Sequence, residues 1–110
     1  MKVLLAGGSG MVGSFITPYL QKEHDIRVLD LVEPRHDNVE FFKGSVTDPE
    51  AVQKAVEGVD AFIWLVMLSP QGGSVTDQDL KVIRENYEVN CLGLHTFLWL
   101  AQGAGLTRGV

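Results

Sequence analysis

An internal disulfide is the first thing this sequence rules out. Among 110 residues there is a single cysteine, Cys91, which fits a reducing compartment. A cationic excess is missing as well. Nine Lys and Arg stand against fourteen Asp and Glu, a net charge of −5, and the basic residues are scattered, so no nucleic-acid-binding stripe is expected. The longest apolar run, 61–68 (AFIWLVML), is too short to span a bilayer. No basic-then-apolar leader precedes the first apolar run, which speaks against a secretory signal. His95 lies one residue off the apolar stripe of its helix, and no metal site is expected. A hydrophobic fraction of 45% excludes a disordered chain. These absences leave one small, mildly acidic, cytoplasmic domain over 1–110, with neither nucleic acid nor membrane as partner.

Glycine, by contrast, is concentrated at one place. The chain opens MKVLLAGGSGMVGS, with glycines at 7, 8, 10 and 13. Each loses more conformational freedom on folding than any other residue would, so the cluster calls for a turn that is tight and also bare.

The elements follow from periodicity. The run 2–6 (KVLLA) is unbroken and apolar, a buried strand of the parallel type. Residues 11–22 are helical, with Val12, Phe15, Ile16, Tyr19 and Leu20 at apolar spacings of three and four. Pro18 inside that helix should bend it or loosen its hydrogen-bond ladder. Strands are expected at 26–32 (IRVLDLV) and 39–44 (VEFFKG), joined by a polar loop without a helix. Asp48-Pro49-Glu50 starts a second helix, with Asp48 as cap, and Gly58 ends it in the left-handed conformation. A fourth strand is expected over 60–68, then a flexible connection, SPQGGSVT, over 69–76. One long helix, from about 77 to 103, should bury Leu80, Ile83, Tyr87, Cys91, Leu94, Leu98 and Ala101, which step by 3, 4, 4, 3, 4 and 3. The order β-α-β-β-α-β-α argues for a parallel sheet covered on both faces. The final TRGV should begin a fifth strand, so the edge of the fourth is expected to stand unpaired and to favour self-association.

The glycines Gly7, Gly10 and Gly13 make G-x-x-G-x-x-G between a strand and a helix. The first permits the sharp turn, the second lets the backbone meet a pyrophosphate, and the third lets helix pack close to strand. The helix start at Met11 and Val12 supplies free N–H groups and partial positive charge to phosphates. Asp30, 17 residues after Gly13 at the end of the next strand, suits the adenosine ribose hydroxyls. A carboxylate there would repel a 2′-phosphate, so NAD is favoured over NADP, with Arg35 the nearest cation that could reverse this. The bland readings of the remaining residues are structural. His24 and His36 should be solvated in surface turns, Trp64 and Trp99 packed, and Cys91 a small core hydrophobe. Asp77 and Asp79 should serve as capping and first-turn charges. Taken alone, Asn90 reads as a satisfied amide holding the helix to neighbouring backbone.

The run GGSGMVGS, the strand IRVLD, the segment GSVTDPE, the strand AFIWLVM and the helix segment YEVNCLGLHTFLWLAQGAG follow in an order that resembles the extended short-chain dehydrogenase/reductases. These are the NAD-dependent epimerase/dehydratase family, whose members mostly act on nucleotide sugars. The resemblance implies a Rossmann-type α/β fold, a parallel sheet of order 3-2-1-4 with helices on both faces, truncated before the fifth strand. It also implies that Gly7, Gly10 and Gly13 lie at the pyrophosphate and Asp30 at the adenosine ribose. Ser45, followed by Val46, stands where the family has an adenine-contacting acid. Leu65, Val66 and Met67 end the strand beneath the cofactor, Val66 and Met67 replacing two small residues. Asn90 matches the asparagine of the N-V-x-G-T helix motif that orders the catalytic site; Gly93 matches its glycine, and Leu94 replaces its threonine.

By that resemblance the chain is the dinucleotide-binding part of an oxidoreductase that takes NAD and a small-molecule substrate, with a homo-oligomer as the further expectation. A dinucleotide-sensing module without turnover and an inactive fragment are the alternatives. The family's acid/base is a tyrosine of a Tyr-x-x-x-Lys motif, whose lysine favours the phenolate of a group with an ordinary pKa of about 10. Tyr19 is followed at the fourth position by Glu23 and Tyr87 by Cys91, so the chain alone is expected to be inactive.

Overall fold

A computed structural model of the protein describes residues 1–69 and 75–110. Most of the connection read from sequence as flexible lies outside the described residues. Four short strands, β1 (Lys2–Ala6), β2 (Asp25–Asp30), β3 (Glu40–Lys43) and β4 (Ala61–Trp64), form one parallel sheet of order β3-β2-β1-β4. The period-two alternation of β1 divides the core. Leu4 and Ala6 pack with Leu29, Val52, Val56, Phe62 and Phe97 on one face, while Val3 and Leu5 pack with Ile26 and Val28 on the other.

Helix α1 (Met11–Leu20) covers the second face, and α2 (Pro49–Val56) lies on the first. The start of α2 is as expected: Asp48 accepts the Glu50 N–H at 3.1 Å, Pro49 opens the helix, and Gly58 follows it at φ +72°. The face of α1 differs from the sequence expectation. Its buried residues are Gly13 and Thr17, with Ile16 and Leu20 half-buried, whereas Val12, Phe15 and Tyr19 are exposed. Small side chains four apart bring the helix axis close to the sheet and the glycine turn. The bulky residues are thereby turned outward.

Pro18 stays inside α1 without ending it. It has no N–H to give the Ser14 carbonyl four residues back. That carbonyl accepts instead from His36 Nε2 at 2.7 Å, so His36 is engaged rather than solvated. His24 is half-buried, with Nδ1 enclosed and without a partner.

The long helix also departs from expectation. Asp79 caps α3 (Leu80–Tyr87) through the Val82 N–H at 2.9 Å. A π-helical segment, Glu88–Gly93, then leads into α4 (Leu94–Gly103). A π turn takes up an extra residue and rotates everything after it. Ala101 is buried as expected, together with Gly93 and Phe97 and with Val89 half-buried, whereas Cys91 and Leu98 face outward and Trp99 is exposed; Leu80 and Tyr87, ahead of the π segment, are exposed as well. Trp64 packs as expected, edge-on to Phe97 at 5.2 Å.

Strand β4 ends earlier than 68, and its outer edge is not bare. Phe62 donates to the Arg108 carbonyl at 3.1 Å, and Trp64 donates to the Val110 carbonyl at 2.7 Å. Gly109 bridges Phe62 in parallel. The terminal residues thus occupy the fifth-strand position.

One charged side chain ties the sheet to α2. Arg27 is buried in β2, donates to the Ala55 and Glu57 carbonyls at 2.8 and 2.6 Å, pairs with Glu40 at 2.9 Å, and lies 4.6 Å from the Phe42 ring centroid. It satisfies carbonyls at the α2 C-terminus. Hydrogen bonding from Arg27, aided by Lys2, holds the Glu40 carboxyl below its ordinary pKa against the opposing effect of desolvation. Arg27→Ala should lower stability by about 2–3 kcal/mol, because two carbonyls and Glu40 lose their donor; urea unfolding of the chain measures this. A depressed carboxyl stabilises above its unfolded pKa and loses that contribution as pH falls through the folded one. The stability gap between the native chain and Glu40→Gln should therefore close on acidification below the ordinary carboxylate range, and a gap that stays constant to low pH would contradict the pairing.

Candidate functional site

The C-terminal ends of β1, β2 and β4 open on one side of the sheet, where the glycine turn leaves β1. Gly7 continues the sheet through its N–H to the Leu29 carbonyl at 2.9 Å and then turns at φ +82°. A Cβ there would be strained by that conformation and would lie 2.9 Å from a Val66 methyl. Gly13 is bare for a different reason. A Cβ on it would fall 2.1 Å from the Gly8 carbonyl oxygen, so helix and turn touch backbone to backbone.

Gly10 differs from both. Its φ is not in the left-handed region, and an added Cβ would meet only the Gly7 carbonyl oxygen, at 3.4 Å. The protein's own packing does not require glycine there. Gly10 borders a cleft of about 310 Å³, which it and Gly7 line together with Asp30, Ser45, Val46, Leu65, Val66 and Met67. A group pressed against the turn backbone would use that space, as a diphosphate does.

The carboxylate of Asp30 stands at the end of β2, partly buried on the cleft wall. Its Oδ2 accepts the Ser9 N–H at 3.0 Å, and its Oδ1 accepts the N–H groups of Leu31 and Val32 at 2.7 and 3.3 Å. A carboxylate offers about four acceptor positions. Oδ2 therefore keeps one for a hydroxyl, and the three backbone donors fix the direction in which it points.

Of the remaining residues singled out by sequence, the cleft gathers some and not others. Met11 is exposed and lines a neighbouring depression with Gly10, Ser14, Phe15, Arg35 and His36. Val12 is half-exposed and lines neither. Gly13 lies buried beneath the turn, where it packs rather than faces the cleft. Ser45 reaches the cleft wall, but its hydroxyl hydrogen-bonds with Thr47 Oγ1 at 2.7 Å and accepts the Thr47 N–H at 3.1 Å. It is therefore committed to its own turn.

Asn90, in the π segment, is not a lining residue. Its Oδ1 accepts the Leu68 N–H at 2.8 Å and its Nδ2 donates to the Leu68 carbonyl at 2.7 Å. This pair holds the stretch after β4, including Met67 and Leu68, against the cleft. Sequence reasoning missed Leu29, Leu31, Gly44, Leu68 and Val89 as lining residues. Leu31 follows the Asp30 carboxylate and Leu68 ends the apolar run, so both carried a positional signal, whereas Val89 carried none.

Among the described residues, no three His, Cys, Asp or Glu side chains gather as metal ligands. No described helix is long and apolar enough to cross a membrane.

The comparisons with known proteins agree with this geometry. The chain is 33% identical over 115 residues to a 3 beta-hydroxysteroid dehydrogenase/Delta 5-->4-isomerase of Mycobacterium tuberculosis, covering 99% of this chain and 30% of that protein. It is 31% identical over 114 residues to a 3-beta-hydroxysteroid dehydrogenase of Mycolicibacterium neoaurum, covering 99% and 31%. The chain thus spans about a third of the length of these curated relatives. Its fold matches a short-chain dehydrogenase/reductase superfamily protein from Agrobacterium tumefaciens with bound NAD at TM-score 0.81 and 26% identity, over 99% of this chain and 31% of that one. It matches the UDP-glucose 4-epimerase of Thermus thermophilus in complex with NAD at TM-score 0.78 and 28% identity, over 99% and 36%. The family model for NAD dependent epimerases/dehydratases matches residues 3–96, and on that match the chain belongs to the NAD dependent epimerase/dehydratase family.

Proposed function

We propose that residues 1–110 are the NAD-binding Rossmann portion of an oxidoreductase. In this reading Gly7 and Gly10 receive the pyrophosphate, with Met11, Val12 and Gly13 at the helix start behind them. Asp30 takes a ribose hydroxyl, and Ser45, Val46, Leu65, Val66 and Met67 border the cofactor. The single observation that carries this reading is a cleft lined both by Gly10, where the protein's own packing does not require glycine, and by Asp30. Bound NAD supplies the hydride acceptor for oxidation of a substrate hydroxyl. Asn90 then acts as a positioning residue through the Leu68 backbone. A cytoplasmic location and a homo-oligomeric assembly belong to the same reading; exposed Leu92 and Trp99 on the helical side support the latter.

The substrate class proposed first is a nucleotide sugar, in keeping with the family. A second reading is a hydroxysteroid. It is favoured by the names of the two mycobacterial relatives and by the apolar Val66, Met67 and Leu68 along the cleft.

Calorimetric titration of the chain should show NAD binding more tightly than NADP, because the Asp30 carboxylate opposes a 2′-phosphate. Asp30→Ala should abolish or reverse that preference. Gly10→Val should weaken both cofactors at least about tenfold by filling the space over the turn. Equal affinities in the unaltered chain would reject the assignment.

The chain alone should show no turnover. Tyr19 is exposed on α1, with Lys22 Nζ 5.2 Å from its ring centroid and so over the ring face; Tyr87 is exposed at the end of α3. Neither lines the cleft. Single-turnover NADH formation, followed by absorbance with panels of nucleotide sugars and 3β-hydroxysteroids, should stay at background. Turnover that survives replacement of both tyrosines by phenylalanine would require another base and would sink this mechanism.

The isolated chain should also sediment as a dimer or larger species, shifted toward monomer by Trp99→Lys. A monodisperse monomer at high concentration would count against the proposed assembly.

A further inference from the structure

Residues 31–39 join β2 to β3 without a helix, and they begin at the carboxylate that faces the cleft. Their course along α1 is held by side chains. Ser9 Oγ donates to the Val32 carbonyl at the near end, and Gln21 Nε2 donates to the Asp37 carbonyl at 2.7 Å at the far end. Between them, half-buried His36 reaches the Ser14 carbonyl with Nε2 at 2.7 Å. A carbonyl oxygen can only accept, so Nε2 carries the proton.

Ser14 is available because of Pro18. In an uninterrupted helix the N–H of residue 18 would take this carbonyl. Proline has none, and its ring presses against the carbonyl four residues earlier. A helix defect and a loop histidine thus satisfy one another across 22 residues of sequence.

We propose that His36 is a positioning residue for the dinucleotide cleft: by donating to the carbonyl that Pro18 leaves open, it holds the 31–39 loop on α1 and so keeps the Asp30 carboxylate aimed at the ligand. The link to the cleft is short. Leu31 and Val32, the first loop residues, supply two of the three N–H groups on that carboxylate, and Leu31 lines the cleft. A loop released at its middle lets those donors swing away, and Asp30 loses its fixed direction. This inference rests on the dinucleotide reading for its ligand, while the clamp is measurable without one.

The experiment compares the 110-residue chain with His36→Ala, His36→Gln, Pro18→Ala and the Pro18→Ala/His36→Ala double variant. NAD affinity is read by calorimetry, and amide exchange of 31–38 without cofactor, with solvent exchange of the His36 imidazole proton, by NMR. His36→Ala should weaken NAD roughly three- to tenfold, about one hydrogen bond. His36→Gln, which keeps a donor at the Nε2 position, should recover most of that. Pro18→Ala should raise thermal stability, since alanine restores the helix ladder. It should nevertheless weaken NAD to a similar extent, because the new N–H draws the Ser14 carbonyl away from His36. The double variant should bind no more weakly than either single one. Exchange of 31–38 should quicken in both single alanine variants, and the His36 Nε2–H proton should lose its protection from solvent exchange where Pro18 is replaced. Additive losses in the double variant, or a Pro18→Ala chain with unchanged affinity and exchange, overturn the proposal. Failure of the unaltered chain to bind NAD, with the exchange pattern as described, overturns the dinucleotide reading and leaves the clamp supported.

Discussion

Where α1 meets the glycine turn, two backbones are in contact with no side chain between them. The Gly13 α-carbon lies so close to the Gly8 carbonyl that even a methyl group would collide with it. This contact decides where α1 starts and how deeply it sits on the sheet. From it follow the burial of Gly13 and Thr17 and the outward turn of Phe15 and Tyr19. Thr17 can be buried there because its hydroxyl donates to the Gly13 carbonyl at 2.6 Å. Gly10 stands over the cleft because the helix behind it cannot move back.

The first strand, the turn and the capped start of α2 were legible in the sequence because each depends on neighbours a few residues away. An apolar run ends in glycines, and an aspartate precedes a proline. The gathering of Asp30, Ser45 and Val66 around Gly7 and Gly10 was legible too, because parallel strands separated by crossovers must end on the same side of the sheet. What could not be read there depends on tertiary distance or on a change of helical period. The stripe through Cys91 and Leu98 assumes a uniform turn, and the π segment shifts it, so that Phe97 is buried instead. Small residues at 13 and 17 were the available sign that α1 packs by its slender side, but apolar periodicity favours the bulky one. No local pattern tells that His36 meets Ser14.

Arg27 shows the same limit from the side of charge. Within IRVLD it resembles the solvent-facing residue of a half-exposed strand, yet it is buried with its donors on Glu40 and on two carbonyls of another element. A charge survives there because every partner is supplied. Since β2 also carries Asp30 three residues on, the strand that anchors α2 also presents the cleft carboxylate.

The amide of Asn90 offers the Leu68 backbone one acceptor and one donor, as a neighbouring strand would. It stands in for a rung of the sheet where β4 has already ended. That substitution works only while the side chain is an amide. Deamidation would leave a carboxylate of nearly the same shape with two acceptors, one of them facing the Leu68 carbonyl without a proton to share. Chemical ageing at this one side chain would then turn an attraction into a repulsion, and Met67 and Leu68 would leave the cleft wall while the fold around them stayed intact.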